Sequence, residues 1–272
     1  MDKRSLEERR MPMERQEIET AYGTFVPNYS HSDVRKKEKE AVTFFENGSI
    51  ASIYLENRTD IETPLGTVKA EFLTFYPTGE LKRVFPLYGQ ISAYWTEDDE
   101  YGLAENVKIP VFGKEIQTKP LCMAFYPSGC LKNLTIWQRE KIAVPTRYGD
   151  IVTRFGIALT EEGKLRSVEP VFGTEIVSEY GTLYPYDSEN FRLHAEKNSL
   201  VFDTDGNVLS LKTIQNQIVI KEGAKEEVIR PRMIHDRLFG NLKWAPLKIT
   251  FCREKVKIED EEGFLEEADK NK

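Results

Sequence analysis

LTFYPTGELKRV, residues 73–84, decides the fold of this chain. Gly79 lies in its middle, with apolar residues six and four positions before it and two and five positions after it. The same frame surrounds five glycines: Gly48, Gly79, Gly129, Gly163 and Gly206. Every framed position is apolar in all five copies although only 40% of the chain is apolar, so the frame marks a repeated structural unit.

Each frame predicts a β-hairpin with the glycine in its turn. In YPTGE, Pro77 presets the φ angle of the first turn residue, and Gly79 supplies the positive φ angle that a G1 bulge requires. YPSGC repeats this arrangement around Gly129. Apolar and other residues alternate on the strand before the glycine, which predicts one buried face. On the strand after it, the two framed apolar positions are three residues apart, and this step of three predicts a bulge or bend that curves the sheet.

A second kind of motif alternates with the glycine hairpins. Its copies pair proline with glycine: TPLG at 63–66, PLYG at 86–89, PVFG at 110–113, PTRYG at 145–149 and PVFG at 170–173. Proline removes a ladder donor and glycine permits tight bending, so we interpret these motifs as corners between strands. The predicted fold class is all-β, with repeated β-hairpins that form an extended or curved antiparallel sheet, as in repeat or solenoid proteins, and with short charged termini.

At FYPTGELK and FYPSGCLK the chain resembles the variant form of the MORN repeat, a short β-hairpin unit with an aromatic pair, a turn, glycine, leucine and lysine. The resemblance implies a sheet of stacked hairpins and a scaffold or binding role. Membrane association is known for some relatives of the standard form. The resemblance brings no catalytic residues with it, and the turn residues that it covers are structural.

The ends of the chain differ from the repeated region. Residues 1–40 contain SLEERR and RKKEKE with little apolar periodicity, which predicts a charged N-terminal arm that is partly disordered or a short surface helix. Residues 41–258 are predicted to form the hairpin domain, which closes with capping strands around Trp244 and Phe251. Residues 259–272 carry seven acids against two lysines, which predicts a disordered acidic tail.

The charge balance limits the kinds of partner. The chain has 272 residues, of which 45 are acidic and 38 basic, and its net charge is −7. Binding to nucleic acid or anionic lipid needs a basic surface, so no nucleic-acid partner is expected and membrane binding is disfavoured. The N-terminal segment lacks an apolar signal sequence and three cysteines are too few for a disulfide scaffold, which predicts a cytoplasmic protein.

One insertion concentrates residue types that bind ligands. Its aromatic and carboxylate side chains can together form a sugar-binding or cation-binding surface: Tyr94, Trp95, Glu97, Asp98, Asp99, Glu100 and Tyr101. The alternative is a solvated acidic loop. His31, His194 and His235 are scattered and lack metal-ligand spacing, so no metal, no cofactor and no catalytic residue is predicted.

From these patterns we expect a non-enzymatic binding or scaffold protein whose repeated β-sheet presents a surface to a protein partner. Two alternatives stay open. A hydrolytic enzyme would carry acid and base carboxylates on the loop insertions. A peripheral membrane protein would align the basic residues that follow the hairpin glycines: Lys82, Arg83, Lys132, Lys164 and Arg166.

Overall fold

The computed structural model describes residues 17–29, 35–36, 39–188, 195–222, 224–235, 240–260, 263 and 265–269. The chain divides into two compact units, unit 1 (Met1–Glu105) and unit 2 (Asn106–Lys272). Both consist almost entirely of antiparallel strands arranged as hairpins. The predicted all-β class is therefore confirmed, and a solenoid arrangement of the hairpins stays a prediction.

The elements follow in chain order. Unit 1 contains β1 (Ile18–Thr20), β2 (Gly23–Phe25), β3 (Val42–Phe44), β4 (Ile50–Thr63), β5 (Gly66–Phe75), β6 (Leu81–Phe85) and helix α1 (Glu97–Gly102). Unit 2 contains β7 (Val107–Val111), β8 (Lys114–Thr118), β9 (Pro120–Phe125), β10 (Leu131–Ile136), β11 (Ile142–Thr146), β12 (Gly149–Leu159), β13 (Leu165–Pro170), β14 (Ile176–Ser178), β15 (Gly181–Leu183), β16 (Leu200–Phe202), β17 (Val208–Thr213), β18 (Ile218–Glu222), β19 (Lys225–Ile229), β20 (Arg232–His235), β21 (Leu242–Ala245), β22 (Leu247–Phe251), β23 (Lys255–Glu259) and β24 (Leu265–Asp269).

All five framed glycines lie in hairpin turns, which join β3 to β4, β5 to β6, β9 to β10, β12 to β13 and β16 to β17. Their φ angles lie between 79° and 98°. In each turn the glycine N–H donates to the carbonyl three residues earlier, and the N–H of that residue donates to the carbonyl after the glycine, with distances of 2.8–3.1 Å. This pair of bonds identifies the predicted type I turn with a G1 bulge.

The step of three on the outgoing strand is a bulge, as predicted. Between β5 and β6 the pairing passes from Phe75 opposite Leu81 to Thr74 opposite Arg83, so that Lys82 has no opposite residue. The same position is skipped in the other four hairpins, at Ala51, Lys132, Arg166 and Leu209. Because one residue is skipped, the apolar residues on both sides of the bulge return to the same face.

Several proline and glycine motifs that we predicted as corners are hairpin turns instead. TPLG joins β4 to β5, the first PVFG joins β7 to β8, and TRYG joins β11 to β12. Four turns share one pattern of hydrogen bonds: TPLG, TRYG, TAYG at 20–23 and SEYG at 178–181. In each, the hydroxyl of the first residue, Thr or Ser, donates to the glycine carbonyl and accepts the N–H of the third residue. The hydroxyl thus closes the turn.

Consecutive hairpins are neighbours in the sheets. The strand order in unit 1 is β6-β5-β4-β3, and in unit 2 it is β24-β23-β22-β17-β16-β13-β12-β10-β9, with β11 also paired to β12. Framed side chains from adjacent strands form the cores, as in Leu73 and Val84 of unit 1 and Leu200 and Leu211 of unit 2. Phe44 is exposed on β3, which ends the strand order of unit 1. Four other framed residues are half-buried: Val42, Ile50, Leu165 and Val208.

The chain ends depart from the sequence prediction. Within the predicted charged arm 1–40, β1 and β2 form a hairpin, and Arg35 and Lys36 are buried. Inside unit 1, Arg35 pairs with Glu71 and Glu100, and the Lys36 ammonium donates to backbone carbonyls of β4. Composition alone does not reveal these contacts. Within the predicted acidic tail 259–272, β24 pairs with β23, where Glu267 bridges Lys255 and Lys257. Residues 1–16, 30–34, 37–38, 261–262, 264 and 270–272 of these two segments lie outside the described residues.

We predict that Gly79→Ala lowers the free energy of unfolding by about 1 kcal/mol, because a Cβ is disfavoured at its φ of 98°. A Cβ at this position would meet nothing within 4 Å, so the loss would report backbone strain alone. Gly102→Ala is the matched control, since Gly102 also has open space around it but lies in α1, where alanine is favoured. Chemical denaturation measures both, and equal stabilities of the two variants would contradict the turn assignment.

Candidate functional site

The predicted aromatic and acidic insertion of unit 1 contains helix α1. Thr96 caps the helix, and its hydroxyl accepts the N–H of Asp99 at 3.2 Å. The Asp99 carboxylate in turn accepts the Thr96 hydroxyl at 2.6 Å and the Thr96 N–H at 2.9 Å, which completes a capping box. These bonds hold the pKa of Asp99 below its ordinary value. Asp99 therefore has a local structural role.

Glu100, in the same helix, is buried and anchors the insertion. Its carboxylate accepts Nη1 of Arg35 at 2.8 Å, the N–H of Gly89 at 2.8 Å and Nε1 of Trp95 at 2.6 Å. Arg35 also bonds the buried Glu71, whose other oxygen accepts the N–H of Tyr88 at 2.8 Å. Two carboxylates and one guanidinium thus connect α1, β5 and residue 35.

The two carboxylates stabilise the charged form of Arg35. Burial works against the charge of Arg35, but hydrogen bonds and Coulomb attraction from Glu71 and Glu100 outweigh it and raise the pKa of Arg35 above its ordinary value. A Cβ at residue 89 would lie 2.4 Å from Oε2 of Glu100, so any larger residue there would displace the Glu100 carboxylate from its hydrogen bond with the residue 89 N–H. Gly89 of the PLYG motif therefore allows the close approach of Glu100, and the chain bends at Pro86 of the same motif, directly after β6.

The structure does not gather the seven predicted side chains on one exposed surface. Tyr94 is 97% exposed, and Glu97 and Asp98 are also exposed. Trp95 and Tyr101 are half-buried, and the Glu100 carboxylate points into unit 1 toward Arg35. No sequence pattern indicated the Arg35 contact, because Arg35 lies in a run of charged residues that is typical of a solvated arm.

We predict that Glu100→Gln lowers the free energy of unfolding by about 2 kcal/mol or more, because it removes a charge-assisted hydrogen bond to the buried Arg35. The fluorescence of Trp95 should change as well, since its Nε1 loses an ionic acceptor. Glu97→Gln, on the exposed side of the same helix, is the control and should change stability by less than about 0.5 kcal/mol. Equal losses in the two variants would show that Glu100 is not the anchor.

A second buried carboxylate holds the insertion at 184–197 in unit 2. Glu169 accepts Nη2 of Arg154 at 3.1 Å, the N–H of Ser199 at 2.7 Å and the Ser199 hydroxyl at 3.0 Å. Arg154 also donates to the Asp187 carbonyl at 2.6 Å, and Lys212 pairs with the Asp187 carboxylate at 2.7 Å. Each of these acids has a basic or hydrogen-bonding partner, so the cluster is structural.

Unit 2 contains two cavities that share a wall. The turn of the β14–β15 hairpin presents Tyr180, whose ring stacks on Phe251 of β22 with centroids 4.5 Å apart and planes 14° apart. Tyr180, Leu183 and Phe251 line both cavities. The β11–β12 hairpin has the same type of turn and presents Tyr148. The Tyr148 hydroxyl accepts the backbone N–H of Val208 at 3.3 Å. In the three turns whose third residue is tyrosine, that side chain contacts another strand, through Tyr22, Tyr148 and Tyr180.

The first cavity, which we call the slot, has a volume of about 420 Å³. One wall belongs to β22, β23 and β24, and the other belongs to β18 with residues 216–217 before it. The β14–β15 hairpin also lines the slot, through Tyr180, Thr182 and Leu183. Aliphatic side chains dominate both walls: Ile218, Ile220, Ile249, Val256, Ile258 and Ala268. Ile218, Ile220 and Val256 are only half-buried, so the slot exposes carbon surface to solvent.

The second cavity, which we call the basin, has a volume of about 750 Å³. Its lining mixes aromatic, aliphatic and charged side chains, including Tyr148, Val177, Tyr180, Leu209, Asp203 and Arg253. Three of its apolar residues are exposed: Val177 at 75%, Leu209 at 41% and Tyr180 at 39%. The basin thus offers apolar contact area bordered by charge.

Asp203 at the edge of the basin is ordered by its own turn. Its carboxylate accepts the N–H of Asp205 at 2.9 Å, the N–H of Asn207 at 2.8 Å and Nδ2 of Asn207 at 3.0 Å. Partial burial raises the pKa of Asp203, but these hydrogen bonds prevail and hold it below its ordinary value. The DTDGN sequence is therefore a hairpin turn, as its glycine frame predicts.

Because the pKa of Asp203 is lower in the folded than in the unfolded state, its ionised form stabilises the fold above the unfolded pKa of about 3.9, and this contribution disappears as the pH falls through the folded pKa. We predict that Asp203→Ala destabilises the protein at pH 7 and that the difference from wild type shrinks below about pH 4. Asp205→Ala is the control in the same turn. Urea unfolding from pH 7 to 3 measures this, and a constant difference would be the contrary result.

Among the described residues, no three His, Cys, Asp or Glu side chains form a group that could hold a metal ion. His235 is exposed on β20, and His31 and His194 lie outside the described residues. Cys122 lies opposite Thr135 in the β9–β10 pair, whereas Cys130 lies in the turn.

Sequence reasoning did not find either cavity. Leu209 belongs to one of the five glycine hairpins and is exposed at its bulge position. Three of the other four hairpins carry Lys or Arg at this position. This apolar residue at a position that is otherwise mostly basic is the one signal that could have pointed to the basin. The slot depends on the separation of two sheets and leaves no local signal.

Comparisons with models of protein families, with curated proteins and with solved structures find no match for this chain. Among the described residues there is no helix with the length and apolar character needed to cross a membrane.

Proposed function

We propose that this chain is a non-enzymatic binding protein and that a protein partner contacts the basin of unit 2. The observation that carries the proposal is the cluster of exposed apolar side chains, Val177, Tyr180 and Leu209, that line this single cavity. Isolated exposed apolar residues are normal on protein surfaces, but contiguous ones mark interaction sites. The basin therefore supports the binding role that the hairpin pattern predicts.

The composition of the basin resembles the centre of a protein interface. Tyrosine and arginine are enriched at such centres, where a rigid aromatic ring provides contact area at low entropic cost. Tyr180 is already ordered by its stacking on Phe251, so a partner need not immobilise it. Arg147 and Arg253 supply donors, and Asp203 and Glu179 supply acceptors for a polar border.

The resemblance of two hairpins to variant MORN repeats supports the same role, because that resemblance implies a scaffold rather than an active site. The buried acids argue in the same direction. Glu71, Glu100 and Glu169 are each engaged with an arginine, so they are poorly suited to act as acid or base in hydrolysis.

Site-specific photocrosslinking tests the proposal. A photoreactive amino acid placed at residue 177 or 209 of the full chain, expressed in the native host, should give a saturable crosslink to a defined protein. The same amino acid at Tyr94, which is more exposed but lies in unit 1, is the control for random collision. Equal crosslinking from residue 94 would count against the basin.

The captured protein is then purified and its affinity measured directly. We predict that Leu209→Asp or Val177→Asp weakens binding about tenfold or more, because each places an unpaired carboxylate in an apolar contact. Ile91→Asp is the matched control, since Ile91 is an exposed aliphatic residue of unit 1. Unchanged affinity in both basin variants, with unchanged thermal stability, would exclude the basin as the contact surface.

A further inference from the structure

We propose that the slot of unit 2 binds the hydrocarbon chain of a medium-length fatty acid or a related aliphatic carboxylate, with the carboxylate near Lys221. This inference does not depend on a protein partner at the basin. It rests on the volume of the slot, the carbon surface that lines it and the charge of Lys221. Each of these observations limits the ligand in a different way.

Aliphatic side chains form the two facing walls of the slot, and its remaining lining consists of Lys221, Tyr180, Thr182, Leu183, Asn216, Gln217 and Phe251. Ile218 and Ile220 of β18 face a wall that contains Ile249 and Ile258 of β22 and β23, and Val256 extends that wall. Water in such a space has few hydrogen-bond partners, so an apolar ligand that displaces it gains free energy. Tyr180 and Phe251 already stack on each other, and the Asn216 amide is engaged with Tyr184, Thr213 and Thr182. The aliphatic walls are therefore the main contact surface left for a ligand.

The volume sets the size of the ligand. At about 420 Å³ the slot lies within the range of ligand pockets, roughly 300–1,000 Å³. A methylene occupies about as much space as a water molecule in the liquid, about 30 Å³. The slot would therefore hold a saturated chain of roughly 12 to 14 carbons, if it were filled completely.

Charge selects an acid rather than a neutral chain. Lys221 follows Ile220 on β18 and is the one basic residue among the described residues that line the slot. Its ion pair with Glu226 is long, at 3.7 Å, and exposed, so it contributes little and can be exchanged for another carboxylate. An aliphatic carboxylate matches both the carbon walls and this ammonium group.

Calorimetry of the full chain with octanoate, decanoate, dodecanoate and hexadecanoate, below their micelle concentrations, tests the assignment. We expect one-to-one binding whose affinity rises about fourfold for each methylene up to about 12 to 14 carbons and then levels off. Binding that is absent, not saturable or independent of chain length overturns the proposal. A peptide of alternating leucine and serine is tested in parallel, and peptide binding without fatty-acid binding also overturns it.

Two variants assign the ligand to the slot. Ile220→Trp fills the cavity and should abolish dodecanoate binding, while circular dichroism verifies that the variant folds. Lys221→Gln changes only an exposed side chain and should weaken dodecanoate binding several-fold without affecting dodecanol. Lys108→Gln is its matched control, because Lys108 forms an ion pair of similar exposure with Glu115 on the β7–β8 hairpin. If Lys221→Gln and Lys108→Gln have the same effect on dodecanoate, the carboxylate does not lie at Lys221.

These experiments separate the slot from the basin. Loss of partner binding in Leu209→Asp with intact dodecanoate binding supports both sites as independent. Loss of dodecanoate binding in Ile220→Trp, with intact partner binding, also supports two independent sites.

Discussion

The two backbone hydrogen bonds that close each glycine turn are the constraint on which the structure depends. They fix the pairing of the first strand residues, such as Phe75 with Leu81, and the bulge after them fixes the next pair. A slip of one residue would turn every framed apolar side chain to the opposite face. The cores of both units therefore follow from the turns, and the positive φ of one glycine in each hairpin is what makes those turns possible.

Buried ion pairs attach the irregular segments to these sheets. Removing carboxylates and guanidinium groups from water is costly, and the cost is offset only where geometry and hydrogen bonding are good. Glu100 with Arg35 and Glu169 with Arg154 meet that condition, because each carboxylate also accepts backbone N–H groups. Glu100 accepts the N–H of Gly89, and Glu169 accepts those of Asp187 and Ser199. The insertions are thus specified by a few directional contacts rather than by apolar packing.

Unit 2 leaves apolar surface that its own elements do not cover. The β14–β15 and β18–β19 hairpins are separate two-stranded sheets, and Tyr180, Leu183 and Phe251 lie between the two cavities. A short hairpin cannot cover the whole face of a longer sheet, so an aliphatic slot and a mixed basin remain on its two sides. Their different linings are the reason for assigning them different ligands.

Local chemistry determined the glycine hairpins, their bulges and the buried strand faces, because a type I turn with a G1 bulge is specified by a few consecutive residues. The sequence did not show that Arg35 is buried against Glu71 and Glu100, since these partners lie 36 and 65 residues away along the chain. It did not show the slot or the basin either. A cavity is the space between elements that form independently, and only the packing of those elements in three dimensions decides whether that space is filled.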